Sequence, residues 1–316
     1  MAAYLNRMAF ALGEISRTVE AAGALGLLVS DAKALRDSGF DRHHVCAEAT
    51  TAYDLGRRAV EPLHEDLSAI GAILYATCIP QNANLGKAEE FARTGDVKHL
   101  MDFPASHLQA DFGMDRAFVM GIGQQACTGL LGSLRMADLL LAGEPSLESV
   151  LCVTADRFPP GAKYEQAYNL ISDGAAAMTV GRKPAGYRIV ACHAHTNGAW
   201  AQASDDETVG TFFNYTHKLV KETLAKAGMA ASDLAFIVTQ NMNVKAWQIL
   251  SRILGVDFDK VAFPTLAEAA HLISGDNIVN LMRLEESGRI RPGDRLLLLM
   301  SGYGLNWQGI ILEKCA

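Results

Sequence analysis

The sequence predicts an α/β protein, and three observations carry the prediction. Short, almost continuous apolar runs recur along the 316 residues, segments with helical spacing separate several of them, and two stretches of the chain follow one plan. The first run closes DLSAIGAILYAT (residues 66–77), a helix-to-strand junction leading into a strand too apolar on both faces for an exposed antiparallel edge. RAFVMG (116–121), SVLCVT (149–154), AAAMTV (175–180), LAFIVT (234–239) and RLLLLM (295–300) are read as similar buried strands. Residues 47–63, 127–142, 211–227, 244–254 and 276–286 carry apolar side chains at helical spacing and supply the helices between them.

The shared plan places Asp-Leu after a helix and then a buried strand, at DLSAIGAILYATC (66–78) and again at DLAFIVTQN (233–241). Downstream, each copy has a glycine-containing helix, a turn and another strand, so that Cys127 and His271 fall at matching helix starts. A period this long is not a solenoid; it points to a duplicated α/β unit whose halves face each other. Residues 80–102 have no counterpart in the second copy, and their mixed composition predicts an inserted helical excursion or lid.

Half of the residues are hydrophobic and 20% are charged, enough apolar material for a large core in one or two domains. Lys and Arg number 28 against 35 Asp and Glu, a formal charge of -7, which argues against a general binder of nucleic acid or anionic membrane. Six scattered cysteines without a C-x-x-C pair fit reduced thiols. Arg7, Glu14, Arg17 and Glu20 interrupt the apolar N-terminal stretch, so the expectation is a cytoplasmic protein with neither leader nor anchor.

The most pointed chemical signal is GIGQQACTGLLGSLRMADLLLAG (121–143), where Cys127 follows a strand and a turn and opens an apolar helix. The positive end of that helix predicts a lowered thiol pKa and a nucleophile, and Ala126, Thr128, Gly129 and Gly132 leave room for an acyl group. Among nine histidines, His271 stands out by its place in the repeat, in a neighbourhood poor in charge. Cys192, His193 and His195 look like a metal cluster, but strand alternation turns Cys192 away and leaves two ligands on one face, so no metal is assigned. Near the C-terminus, Gly302 and Gly304 lie between two strands, in a loop able to aim N–H groups at an oxyanion. Walker A, G-x-G-x-x-G, G-x-S-x-G and H-E-x-x-H patterns do not occur, and no cofactor is assigned.

Several motifs together resemble one family. SGFDRHHV (38–45), ACTGLLGSLRMADLLLAG (126–143), ISDGAAAMTV (171–180) and GRIRPGDRLLLLMSGYGLNWQGIIL (288–312) are similar to segments of the β-ketoacyl-(acyl carrier protein) synthase III enzymes and their relatives in specialised metabolism, across nearly the whole chain. The resemblance implies a thiolase fold, two duplicated βαβαβαβ halves (1–183 and 184–316) in a five-layer αβαβα arrangement, and a homodimer. It also implies that Cys127 takes an acyl group from a thioester, with its own N–H and that of Gly304 forming the oxyanion hole.

The departures from the family are equally informative. Where the family has the histidine of its Cys-His-Asn triad, TQNMN (239–243) places Gln240, and where it has the asparagine, AHLI places His271. Gln240 donates an N–H but takes no proton, which leaves His271 as the acid-base group beside the cysteine. Lys33 and Glu165 stand where the family clamps the adenine of coenzyme A with a tryptophan and an arginine. Lys245 remains as a basic residue for an acyl carrier protein, Phe103 matches a phenylalanine that crosses the dimer interface into the acyl pocket, and Gln240 and Asn243 join the substrate-binding set. The resulting expectation is an acyltransferase or condensing enzyme that loads Cys127 from a carrier-protein or coenzyme A thioester and passes the acyl group to a non-malonyl nucleophile, in polyketide or related biosynthesis. The alternatives are a decarboxylating ketoacyl synthase III and a non-catalytic subunit of a heterodimer.

Overall fold

The computed structural model describes residues 2–167, 169–303 and 305–316. Ten strands make one mixed sheet: β1 (Tyr4–Leu12), β2 (Ile70–Ala76), β3 (Phe118–Ile122), β4 (Ser149–Asp156), β5 (Gly174–Gly181), β6 (Tyr187–Thr196), β7 (Phe236–Thr239), β8 (Val261–Ala262), β9 (Arg295–Gly302) and β10 (Asn306–Lys314). Their spatial order is β8-β7-β9-β10-β6-β1-β5-β4-β2-β3. Each of the first five strands therefore has its counterpart five strands later, at the mirrored place in the sheet. The pairing repeats as well: β2 runs parallel to β3 and β4, β7 runs parallel to β8 and β9, and the other neighbours are antiparallel. Within the sheet the two sets join where Tyr4 and Leu5 of β1 meet Arg188 and Tyr187 of β6.

The principal helices are α1 (Ala52–Val60), α2 (Pro104–Asp111), α3 (Gly129–Gly143), α4 (Asp205–Ala227), α5 (Val244–Leu254) and α6 (Asp276–Glu286). Strand alternation sorts side chains between them. On β4, Val150 and Cys152 face the central core with Leu130 and Leu134 of α3 and Ile278 and Leu281 of α6, whereas Leu151 and Val153 face an outer core with Leu55 of α1 and Leu108 of α2. On β9, Leu296 and Leu298 join the same central core, while Leu297 and Leu299 join a second outer core with Leu219 of α4 and Leu250 of α5. Five layers result: α1 and α2, the first strands, α3 with α6, the second strands, and α4 with α5. This is the predicted thiolase-type layering. Helix α3 is apolar around most of its circumference because it lies in the middle layer. Together with the turn before it, it is the one helix among the described residues long and apolar enough to suit a bilayer, and half of that window is buried inside the protein.

One expectation changes. β3 is not a buried strand: it pairs only with β2 at the sheet edge, and Phe118, Val119 and Met120 are 39%, 38% and 37% exposed. Its apolar composition serves an outer surface of this chain. Residues 80–102 form a surface excursion of two 3₁₀ turns and the helix Ala88–Thr94, with no buried residue in the three elements.

Candidate active site

Cys127 lies in a 3₁₀ turn, Ala126–Thr128, between β3 and α3. His271 occupies the corresponding connection of the second half, after β8 and before α6. Both turns are strained. Ala126 has φ 46, Ala270 has φ 53 with ψ -157, and Ile273 has φ 51, conformations that cost a non-glycine residue about 1–3 kcal/mol each. The surroundings hold them in place. Thr128 donates through N and Oγ1 to the Gln125 carbonyl, and Ser274 Oγ from the opposite turn donates to the Ala126 carbonyl at 3.1 Å. His271 N donates to the Leu170 carbonyl, and the His271 carbonyl accepts from Ser172 N, each at 2.9 Å.

The imidazole is fixed by a residue that sequence reasoning did not single out. His271 Nδ1 lies 2.5 Å from Asp276 Oδ2 at the start of α6, and the same carboxylate accepts from Asn241 N and Leu272 N, each at 2.6 Å. Asp276 is fully buried. With the carboxylate accepting, Nδ1 carries the ring proton and Nε2 is left as the acceptor. Cys127 and His271 line one cavity of about 730 Å³, together with Cys78, Gln240, Asn243, Ser301 and Gly302. Its remaining walls are largely apolar, with Phe158, Phe212, Phe213, Met242 and Trp307 among them.

The Cys127 thiol departs from expectation. Its pKa lies well above the usual thiol range, because of the hydrogen-bonded Cys78 thiol first and burial second, with negative charge at Asp276 and Asp156 adding to both. The helix end does not outweigh these effects; α3 begins only at Gly129, beyond the turn that holds the cysteine. The resting group is a neutral thiol that needs a base.

Gln240 follows β7, and its Oε1 accepts from Ser301 N at 2.7 Å and Ser301 Oγ at 3.0 Å. A backbone donor on Oε1 fixes the amide orientation and leaves Nε2 as a donor. Asn243 lines the cavity but spends its side chain on structure: Oδ1 caps α5 by accepting from Lys245 N, and Nδ2 donates to Ser38 Oγ. Lys245 is exposed beside it. Gly302 is required by contact, since a Cβ there would stand 2.8 Å from Cys127 N. Gly304 lies outside the described residues.

Phe103 is not brought to the cavity; it precedes α2 and is 51% exposed. Glu165 does not replace an adenine clamp either. It is buried and accepts from Val29 N, Ser30 N and Ser30 Oγ, pinning that loop, while Lys33 pairs with Asp37 on the surface.

Comparison with known proteins agrees with this architecture. Residues 123–198 match the family described as 3-oxoacyl-[acyl-carrier-protein] synthase III, and residues 224–314 match its C-terminal part, together more than half of the chain. The chain belongs to the ketoacyl synthase III-like acyltransferases of the thiolase superfamily. A β-ketoacyl-[acyl-carrier-protein] synthase III of Rhizorhabdus wittichii is 25% identical over 96% of this chain and 94% of its own. Among solved structures, the acyltransferase ChlB3 superposes with a TM-score of 0.84 at 20% identity, covering 100% of this chain and 98% of that one. FabH of Pseudomonas aeruginosa gives 0.82 at 19% identity, over 100% and 99%.

Proposed function

We propose that this ketoacyl synthase III-like protein is an acyltransferase that takes an acyl group from a carrier-protein or coenzyme A thioester onto Cys127 and delivers it to a nucleophile other than a malonyl carrier. The observation that carries this reading is the pairing of His271 with Asp276 while Gln240 stands tied to Ser301, which puts one proton-accepting imidazole in the cavity. His271 Nε2 takes the Cys127 proton as the sulfur attacks the thioester carbonyl. The tetrahedral oxyanion is met by Cys127 N–H and by an N–H of the loop after β9, for which Gly304 is the expected donor. Collapse breaks the donor C–S bond, and the proton on His271 passes to the leaving thiol. An incoming amine or hydroxyl then loses its proton to His271 and attacks the acyl-cysteine; a preformed β-keto carbanion attacks without that proton loss. Either attack restores the Cys127 thiolate, and the amine or hydroxyl route returns the proton to it from His271. Asp276 holds the imidazole in the useful tautomer.

Decarboxylation of a malonyl thioester builds negative charge on the thioester oxygen and is served by two donors; Gln240 Nε2 supplies one without an acid-base role. The names of the relatives favour the decarboxylating alternative, and a single experiment separates the two. The acylated enzyme is mixed with carboxyl-labelled malonyl carrier and malonyl-coenzyme A, and released carbon dioxide is counted. Little release from wild type and a clear gain in Gln240→His support transfer to another nucleophile. Rapid release coupled to a β-keto product establishes the decarboxylating synthase, and failure of Cys127 to gain acyl mass establishes a non-catalytic subunit. A homodimer in a cytoplasmic setting, formed through the apolar edge of β3 with Phe103 reaching the partner's cavity, completes the reading.

A further inference from the structure

On the outer face of the second half, β6 and α4 bring together three side chains of a different chemistry that do not line the cavity. His193 and His195 are alternate residues of β6 and share one face, which turns Cys192 to the other. Glu222, on the second-last turn of α4, reaches both rings. His193 Nε2 donates to Glu222 Oε2 at 2.8 Å, and His195 Nε2 lies 2.7 Å from the same oxygen. The second contact is misaligned for a hydrogen bond, so that the buried His195 Nε2 has no hydrogen-bond partner. A buried nitrogen without a partner is costly.

We propose that His193 Nε2, His195 Nε2 and the Glu222 carboxylate form a binding site for a divalent transition metal of the zinc type. The three ligand atoms lie within 4.8 Å of one another, and small side-chain rotations would open their spacing to the roughly 2.0–2.2 Å bonds of a tetrahedral ion. Two imidazoles with a carboxylate are borderline-soft ligands that suit zinc, nickel or cobalt better than magnesium or calcium. The half-exposed Glu222 leaves the fourth position to water. Lys218 and Lys226, one turn either side of Glu222, oppose the added charge. Lys218 lies over the Tyr215 ring and Lys226 is directed at the Cys192 carbonyl, so neither ammonium is paired with Glu222. A bound ion would staple α4 to β6, and α4 carries Phe212 and Phe213 of the cavity wall.

Metal-stripped protein is titrated with zinc against a chromogenic chelator and, in parallel, with cobalt(II) read by its visible spectrum. The expected result is one ion per chain, a cobalt spectrum without sulfur-to-metal charge transfer, and a rise in melting temperature on adding zinc. In His193→Ala/His195→Ala the site and the melting shift are lost, while Glu222→Gln weakens binding by at least about tenfold. The variants' own melting temperatures report folding separately. Binding that survives in the double variant, a thiolate band in the cobalt spectrum, or no binding by wild type overturns the proposal.

Discussion

Replacing Asp276 by asparagine tests the orientation of His271 more sharply than removing the imidazole. The carboxylate accepts from His271 Nδ1, Asn241 N and Leu272 N. An amide offers one accepting oxygen and sets an NH₂ against at least one of these three donors. If the oxygen takes the place that serves Leu272 N, the NH₂ faces both Asn241 N and Nδ1 and moves the ring proton to Nε2, the atom that must accept the thiol proton. The same change in an orienting carboxylate elsewhere costs about 10⁴ in turnover, so a loss of roughly 10³–10⁴ is expected. If the oxygen turns to the ring, a buried N–H is left unpaired. That costs about 1–3 kcal/mol, or a melting temperature lower by roughly 2–10 °C. The assay is release of free thiol from a thioester panel, with the acyl-enzyme followed by intact mass and melting measured alongside. Asp276→Asn that acylates Cys127 within about threefold of wild type would sink the orienting role, whatever its stability.

Other consequences follow from the same geometry. Because Cys78 and burial hold the Cys127 thiol above its usual range, iodoacetamide should label it slowly at neutral pH, and the rate should keep rising through pH 9; a plateau reached below pH 8 would contradict a raised pKa. Gly302→Ala places a methyl group 2.8 Å from Cys127 N, so acylation should fall at least about tenfold with a destabilisation of about 1–3 kcal/mol, and unchanged kinetics would show that the loop moves freely. Burial raises the Asp156 carboxyl from 3.8 to about 6, against the pull of donors from Cys78, Ile79 and Asn82. The native state therefore keeps a proton that the unfolded chain has lost, and this contribution to stability is full below about pH 4 and lost as pH rises through 6. Asp156→Asn cannot ionise, so the stability of wild type relative to it should drop by up to about 3 kcal/mol between pH 4 and 7 in urea titrations; a flat difference would refute the shift.

What the sequence made legible was periodicity. The helices Val244–Leu254 and Asp276–Glu286 have the expected bounds, and, β3 apart, the strands read as buried on both faces are the ones packed between layers. β1 escaped notice because Asn6 and Arg7 break its apolar pattern beside a register shift, and β3 was misread because an apolar edge looks like an apolar interior in one dimension. Cys127 is legible as the residue that follows a strand and a turn and opens an apolar helix, and His271 from its place in the repeat. Asp276 is not legible in that way, since four residues separate it from His271 and only the fold at Ile273 brings the two together. A signal existed in the buried polar start of α6, Asp276 and Asn277, which an amphipathic helix would have placed in solvent. Glu222 is one charge among several on α4, and its meeting with β6 is a tertiary fact.

The mirrored strand order has a consequence for what such a site is able to contain. The turn with Cys127 and the turn with His271 are equivalent elements in contact, joined by Ser274 and Ala126. In an assembly of two identical small subunits, the same residue would stand in both turns, giving thiol against thiol or imidazole against imidazole. Covalent fusion of the halves removes that constraint. One copy is free to carry a thiol and the other an imidazole, and each can change without forcing the same change on its twin.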